Sequence, residues 1–228
     1  MYNTLVIIKK ELKDTIKNKT ILIQFILFPI ITMIMENAIS IEGMEEFFFI
    51  KLFAVMYIGM APLTATASVI SEEKEKNTLR VLMMADIKPW QYLCGVGAYV
   101  WSICMIGAAV MGSLLPASQR LFFLVVMGLG FIISILAGGC VGIFSKNQME
   151  ATSITIPVMM IFSFIPMLSM FNESIKKYSV IVFTQQLKLL FDNMSFAGCT
   201  KTGMGILGIS AVLCVLLFLM AYRKKGLD

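Results

Sequence analysis

Six stretches of this chain, at about residues 20–38, 52–70, 92–115, 121–144, 153–171 and 204–222, contain no Asp, Lys or Arg, and only one Glu, Glu36, near an end. Each is close to the roughly 20 residues that a helix needs to cross a hydrocarbon core. A spanning segment must satisfy its own backbone in lipid, and the helix does this within one stretch of chain. The whole chain is 14% charged with a mean hydropathy of +0.86, whereas soluble domains average about 25% charged residues. The sequence therefore reads as an all-α integral membrane protein with six transmembrane helices. Too few charges exclude a disordered chain or a nucleic-acid-binding one.

The segments between the runs set the orientation. Residues 2–19 are amphipathic, with Leu5, Ile8, Leu12 and Ile16 at helical spacing among Lys9, Lys10, Lys13, Lys17 and Lys19. Such a helix lies in the membrane interface, apolar stripe down and lysines among the headgroup phosphates. Glu11 and Asp14 distinguish this segment from the basic start of a signal peptide, so the first span is expected to be retained. Grouping both termini with 71–91 and 145–152 collects 13 of the 19 Lys and Arg residues on one side. The positive-inside rule then places both termini in the cytoplasm. The 71–91 segment is expected to form a cytoplasmic helix, capped by Ser71, with Glu72, Glu73 and Glu75 in its first turn. Pro89 ends it before Trp90 and Tyr92, which suit the aromatic belt. On the other side, Val180, Phe183, Leu187, Leu190, Phe191 and Met194 form a helical stripe within the 172–203 loop. Thr184, Gln185, Gln186 and Lys188 interrupt it, which predicts an amphipathic outer helix rather than a span.

Absences narrow the chemistry. The chain has no histidine, which removes Ser-His-Asp and Cys-His pairs, His metal ligands and the histidine pH switch. No G-x-x-x-x-G-K-[ST] occurs, so the chain is not expected to bind ATP itself. Spans without mid-membrane carboxylates suit neither proton coupling nor aspartyl catalysis. The five cysteines show no ligand spacing and read as small buried hydrophobes, and no metal site is expected. Gly138 with Gly142, Ala108 with Gly112, and Ala61 with Ala65 place small residues where helices can approach closely, either within one bundle or between protomers. Pro62 with Thr64, Thr66 and Ser68 gives the second span a polar face. That face could line a translocation path or satisfy backbone groups freed by Pro62.

Three features resemble a known family, the membrane subunits of ABC-2 type ABC transporters. IIKKELKDTIKNKT at 7–20 is similar to that family's basic amphipathic opening, with Pro29 in the span that follows. VISEEKEKNTLRVLMMADIKPWQYL at 69–93 is similar to its E-x-E-x-x-[GN]-T-L-x-x-L-x-x-[ST]-P-[VI] segment after span two. The six-span layout with a long outer loop before span six is the third. Asn77 stands where Gly is common, and Ala85-Asp86 replaces Ser-Pro, departures that mark a diverged or heteromeric subunit.

The resemblance implies a single transmembrane domain over 1–228 that acts as a non-catalytic permease of an ATP-driven exporter. Such subunits pair with a second permease copy or paralogue, in the cytoplasmic membrane of a bacterium, each docked on an ATPase that holds ATP and Mg. It implies ATPase contacts at Glu72, Glu73, Glu75, Lys76 and Arg80, with Lys146, Gln148 and Glu150 as a lesser second contact. It also implies an outer gate in which Phe183, Leu187 and Phe191 exclude water. The substrate class expected is hydrophobic or amphipathic, a peptide or drug. The competing reading is a non-transporting membrane protein that sequesters a peptide or lipid-like ligand, as an immunity factor does.

Overall fold

Long apolar runs with no period-two alternation fold here as helices. The computed structural model describes residues 19–39, 45–85, 87–195 and 200–225, with no side-chain description at 19–21 and 223–225. The interfacial helix expected at 1–19, with Lys9, Lys10, Lys13 and Lys17, lies outside the described residues. Among those described there are nine helices and no strand. They are α1 (Lys19–Ala38), α2 (Phe48–Glu75), α3 (Thr78–Met84), α4 (Pro89–Gly112), α5 (Ala117–Phe144), α6 (Gln148–Leu168), α7 (Glu173–Ser179), α8 (Phe183–Asn193) and α9 (Lys201–Lys225). Five of them, α2, α4, α5, α6 and α9, are long and apolar enough to cross a membrane, and α1 adds a shorter apolar helix over 22–38.

Helix α2 is the centre of the bundle, packing on α1, α4, α5, α6 and α8. Lipid supplies no hydrophobic drive between helices, so close approach and interhelical hydrogen bonds must hold them together. Gly138 and Gly142 let two helices approach closely. A Cβ at Gly138 would lie 2.4 Å from the Leu63 carbonyl oxygen, and one at Gly142 would lie 2.7 Å from Ile70 Cβ. The Gly-x-x-x-Gly pair is therefore spent inside one bundle, on the α2–α5 seam.

The prolines explain much of the rest. A proline within a helix removes the amide that would serve the carbonyl four residues earlier. In hydrocarbon that carbonyl needs another donor. Pro29 frees Phe25, whose oxygen accepts from the Tyr57 hydroxyl of α2 at 3.1 Å. Pro62 frees Ile58, which accepts from Ser134 of α5 at 2.5 Å. Pro166 frees Phe162, which accepts from Thr184 of α8 at 2.5 Å. Each of these three breaks is thus closed by a hydroxyl from a different helix, and each closure ties two helices together. The polar face at Pro62 does not serve this purpose. The Thr64 hydroxyl lies 2.7 Å from Gln24 Oε1 of α1 and 2.8 Å from the Met60 carbonyl, and its one proton serves these acceptors rather than Ile58.

Several expectations need correction. The helix of span two does not stop at 70: it runs on to Glu75, so Ser71 caps nothing and Glu72, Glu73 and Glu75 occupy a last turn. The outer stripe is not one helix. It begins only at Phe183, and Val180 lies in the turn between α7 and α8. Tyr92 is buried, not part of an exposed belt, although Trp90 is exposed. Cys94 too is exposed rather than buried. Exposed apolar side chains run along α1 (Ile23, Ile26, Leu27, Ile30) and α9 (Ile209, Val212, Leu213, Leu216) and also along α5 and α6, as expected of helices facing lipid or another apolar partner.

Candidate functional site

At one end of the bundle the last turn of α2 meets the first turns of α4 and α6 and the last turn of α5. Carboxylates at a helix C-terminus face the negative end of the macrodipole, so each of the three glutamates there needs a donor. Glu72 pairs with Lys76 one turn on, at the exposed surface. Glu73 turns inward, 4% exposed, and accepts from the Tyr92 hydroxyl of α4. Glu75 reaches the N-terminus of α6 and accepts from the Gln148 backbone amide at 3.0 Å. Between them, the Lys74 ammonium donates to the Ile143 carbonyl at the end of α5, at 3.2 Å. Residues spaced by one on a helix point about 100° apart, so 73, 74 and 75 reach three different neighbours.

The chain then breaks at Asn77. Its φ of 59° is left-handed backbone, which Asn tolerates better than most residues. The Asn77 amide donates to the Lys74 carbonyl, and the Thr78 hydroxyl donates to the Glu73 carbonyl at 2.9 Å. Helix α3 follows, anchored by fully buried Leu79 with Leu82 and Met83 half-buried behind it. Its outer side presents Arg80, Val81 and Met84, the last two 63% and 77% exposed.

The second expected contact adjoins the first. Asn147 caps α6 by accepting from the Glu150 amide at 2.8 Å, and the Glu150 carboxylate accepts from the Lys146 amide at 2.7 Å. Lys146 and Met149 are exposed beside it, Met149 at 81%. The Glu75–Gln148 bond joins the two segments, so Glu72, Glu75, Lys76, Arg80, Lys146, Gln148 and Glu150 share one end of the bundle. Glu73 belongs to its interior. Lys74 and Tyr92 were missed by sequence reasoning, because bonds across 69 and 19 residues leave no local pattern. The N-x-x-E of Asn147 and Glu150 did carry a signal, that of a capping box.

At the opposite end, α8 sits among α2, α5, α6 and α9. Phe183, Leu187 and Phe191 are buried, Phe183 against Phe162 at 4.9 Å and Phe191 against Phe123 at 5.3 Å between ring centroids. The polar residues are buried as well. Gln185 accepts from Ser169 at 3.0 Å, and Gln186 donates to the Val180 carbonyl at 2.6 Å. Lys51 and Glu45 (3.6 Å) and Lys188 and Asp192 (2.7 Å) form ion pairs around a cavity of about 20 Å³, room for about one water. Of the supposed polar path, Pro62 and Thr66 are buried within the bundle and Ser68 is half-buried.

A multi-pass helical membrane protein whose charged end is braced across four helix termini is the class these features define. The chain belongs to the ABC-2 family of transporter proteins, whose family model matches residues 1–222. Members have a permease role and in general work with a separate ATP-binding subunit. No curated protein matches the chain.

Proposed function

We propose that this chain is the permease subunit of an ATP-driven exporter in the cytoplasmic membrane of a bacterium. It moves a hydrophobic or amphipathic substrate, a peptide or drug, with energy from a separate ATPase subunit that holds ATP and Mg. A second permease, a copy or a paralogue, completes the pathway. The observation that carries this reading is the surface of α3. Arg80, Val81 and Met84 stand out from an anchored helix beside Glu72, Glu75, Lys76 and the start of α6. Exposed apolar side chains rimmed by charges suit a protein partner: the apolar centre supplies contact and the charges set orientation. Phe183, Leu187 and Phe191 close the far end as an outer gate.

Burial reassigns Glu73. A Glu73→Lys change would place an ammonium in the protein interior and report on folding, so docking is better tested from the surface. Arg80→Glu and Met84→Asp in the full chain are expected to lower co-purification of the ATPase subunit by at least about tenfold, with melting temperature unchanged. Undiminished co-purification would refute α3 as the docking element. The sequestration reading makes a different prediction, protection of cells by this chain in the absence of any ATPase; a permease protects only with it.

A further inference from the structure

Among the described residues, the consecutive Glu73, Lys74 and Glu75 bond to three different helices: to the Tyr92 hydroxyl of α4, the Ile143 carbonyl of α5 and the Gln148 amide of α6. The Thr78 hydroxyl and the Asn77 amide fasten the start of α3 to the same turn, on the Glu73 and Lys74 carbonyls. The α9 end joins through Tyr222, whose ring lies 6.1 Å from that of Tyr92 and whose hydroxyl donates to the Ile87 carbonyl at 3.4 Å. These contacts differ in kind. One is a buried carboxylate, one a cation on a helix C-terminus, and one a carboxylate on a helix N-terminus, where the backbone dipoles favour each charge.

We infer that residues 73–75 are the joint through which a displacement of α3 moves the ends of α4, α5 and α6 together. Glu73, Lys74 and Glu75 are then positioning residues, and the docking residues of α3 act through them. This rests on the permease reading for its source of displacement, but the joint is a property of the chain itself. Its logic is geometric. A short helix tied only by its loop could swing without moving the bundle. A short helix hydrogen-bonded to a turn that holds three helix ends cannot.

The test uses the full-length chain in lipid nanodiscs, alone and with its ATPase subunit, with native cysteines replaced and spin labels at Val81 of α3 and Ser153 of α6. Both positions are exposed. The native joint is expected to give one narrow distance distribution, alone and unchanged after trapping the complex with ATP and vanadate. Glu75→Ala, at an exposed site that leaves the core intact, is expected to lose that narrow peak, and Glu75→Gln to keep it. Tyr92→Phe and Lys74→Met are expected to broaden it, and Lys74→Arg to restore it. Narrow, native distances in Glu75→Ala, Tyr92→Phe and Lys74→Met, alone and in the complex, would overturn the joint. Failure of the native chain to bind any ATP-binding subunit would overturn the permease reading instead, and the chain-alone distances would still decide the joint.

Discussion

The proline-freed carbonyls of Phe25, Ile58 and Phe162 show how much rests on single hydroxyls. Ser134 is buried, and its bond to Ile58 is the replacement for the amide that Pro62 lacks. Ser134→Ala leaves that carbonyl without this donor and is expected to cost about 1–3 kcal/mol. In a Pro62→Ala background the helix serves the Ile58 carbonyl itself, so the same Ser134→Ala change should cost little. Thermal unfolding of the four variants of this cycle is the measurement, and equal costs in both backgrounds would refute the pairing. Pro62 could be read from the sequence as a source of freed backbone, but not its donor. Thr64, Thr66 and Ser68 stood nearest in sequence, and the hydroxyl that answers comes from 76 residues away. Local patterns report what a residue needs; packing decides who supplies it.

Elements were legible where a period or a length carries the information, and illegible where two helices meet. Five of the apolar runs correspond to helices long enough to cross a membrane and the first to the shorter apolar helix α1, because hydrocarbon-length apolar segments have few alternatives. Their ends drifted, as at Glu75, where charged residues that resemble a loop continue a helix because partners from α4, α5 and α6 satisfy them. The break falls instead at Asn77, the position where the similar family segment commonly has Gly, and the positive φ gives a reason for both residue types. Asn77→Gly is therefore expected to leave stability nearly unchanged, and Asn77→Val to lower it by about 1–2 kcal/mol. Circular dichroism melts of the purified chain would check this, and an indifferent Asn77→Val would contradict the left-handed break. The α8 segment was legible as amphipathic but not as enclosed. Its glutamines looked like a water-facing side, and they are buried because Ser169 and the Val180 carbonyl receive them.

For the whole molecule, the two ends of the bundle make different surfaces. The end with Glu72, Lys76, Arg80 and Lys146 is expected to face the cytoplasm, and the end with Glu45 and α7 the outside. A single cysteine at Glu45 in a cysteine-free background should react with a membrane-impermeant maleimide added to intact cells. One at Lys146 should react only after permeabilisation. The opposite pattern would reverse the topology and with it the placing of the ATPase. The enclosure of α8 has a further consequence, in time rather than space. Its seat is built from α2, α5, α6 and α9, and α9 leaves the ribosome after α8 itself. While the chain is being made, the polar residues at 184–186 emerge before one wall of their seat exists. Burial of that segment therefore waits for α9, and a chain truncated before Lys201 is expected to leave those polar residues without one wall of their seat.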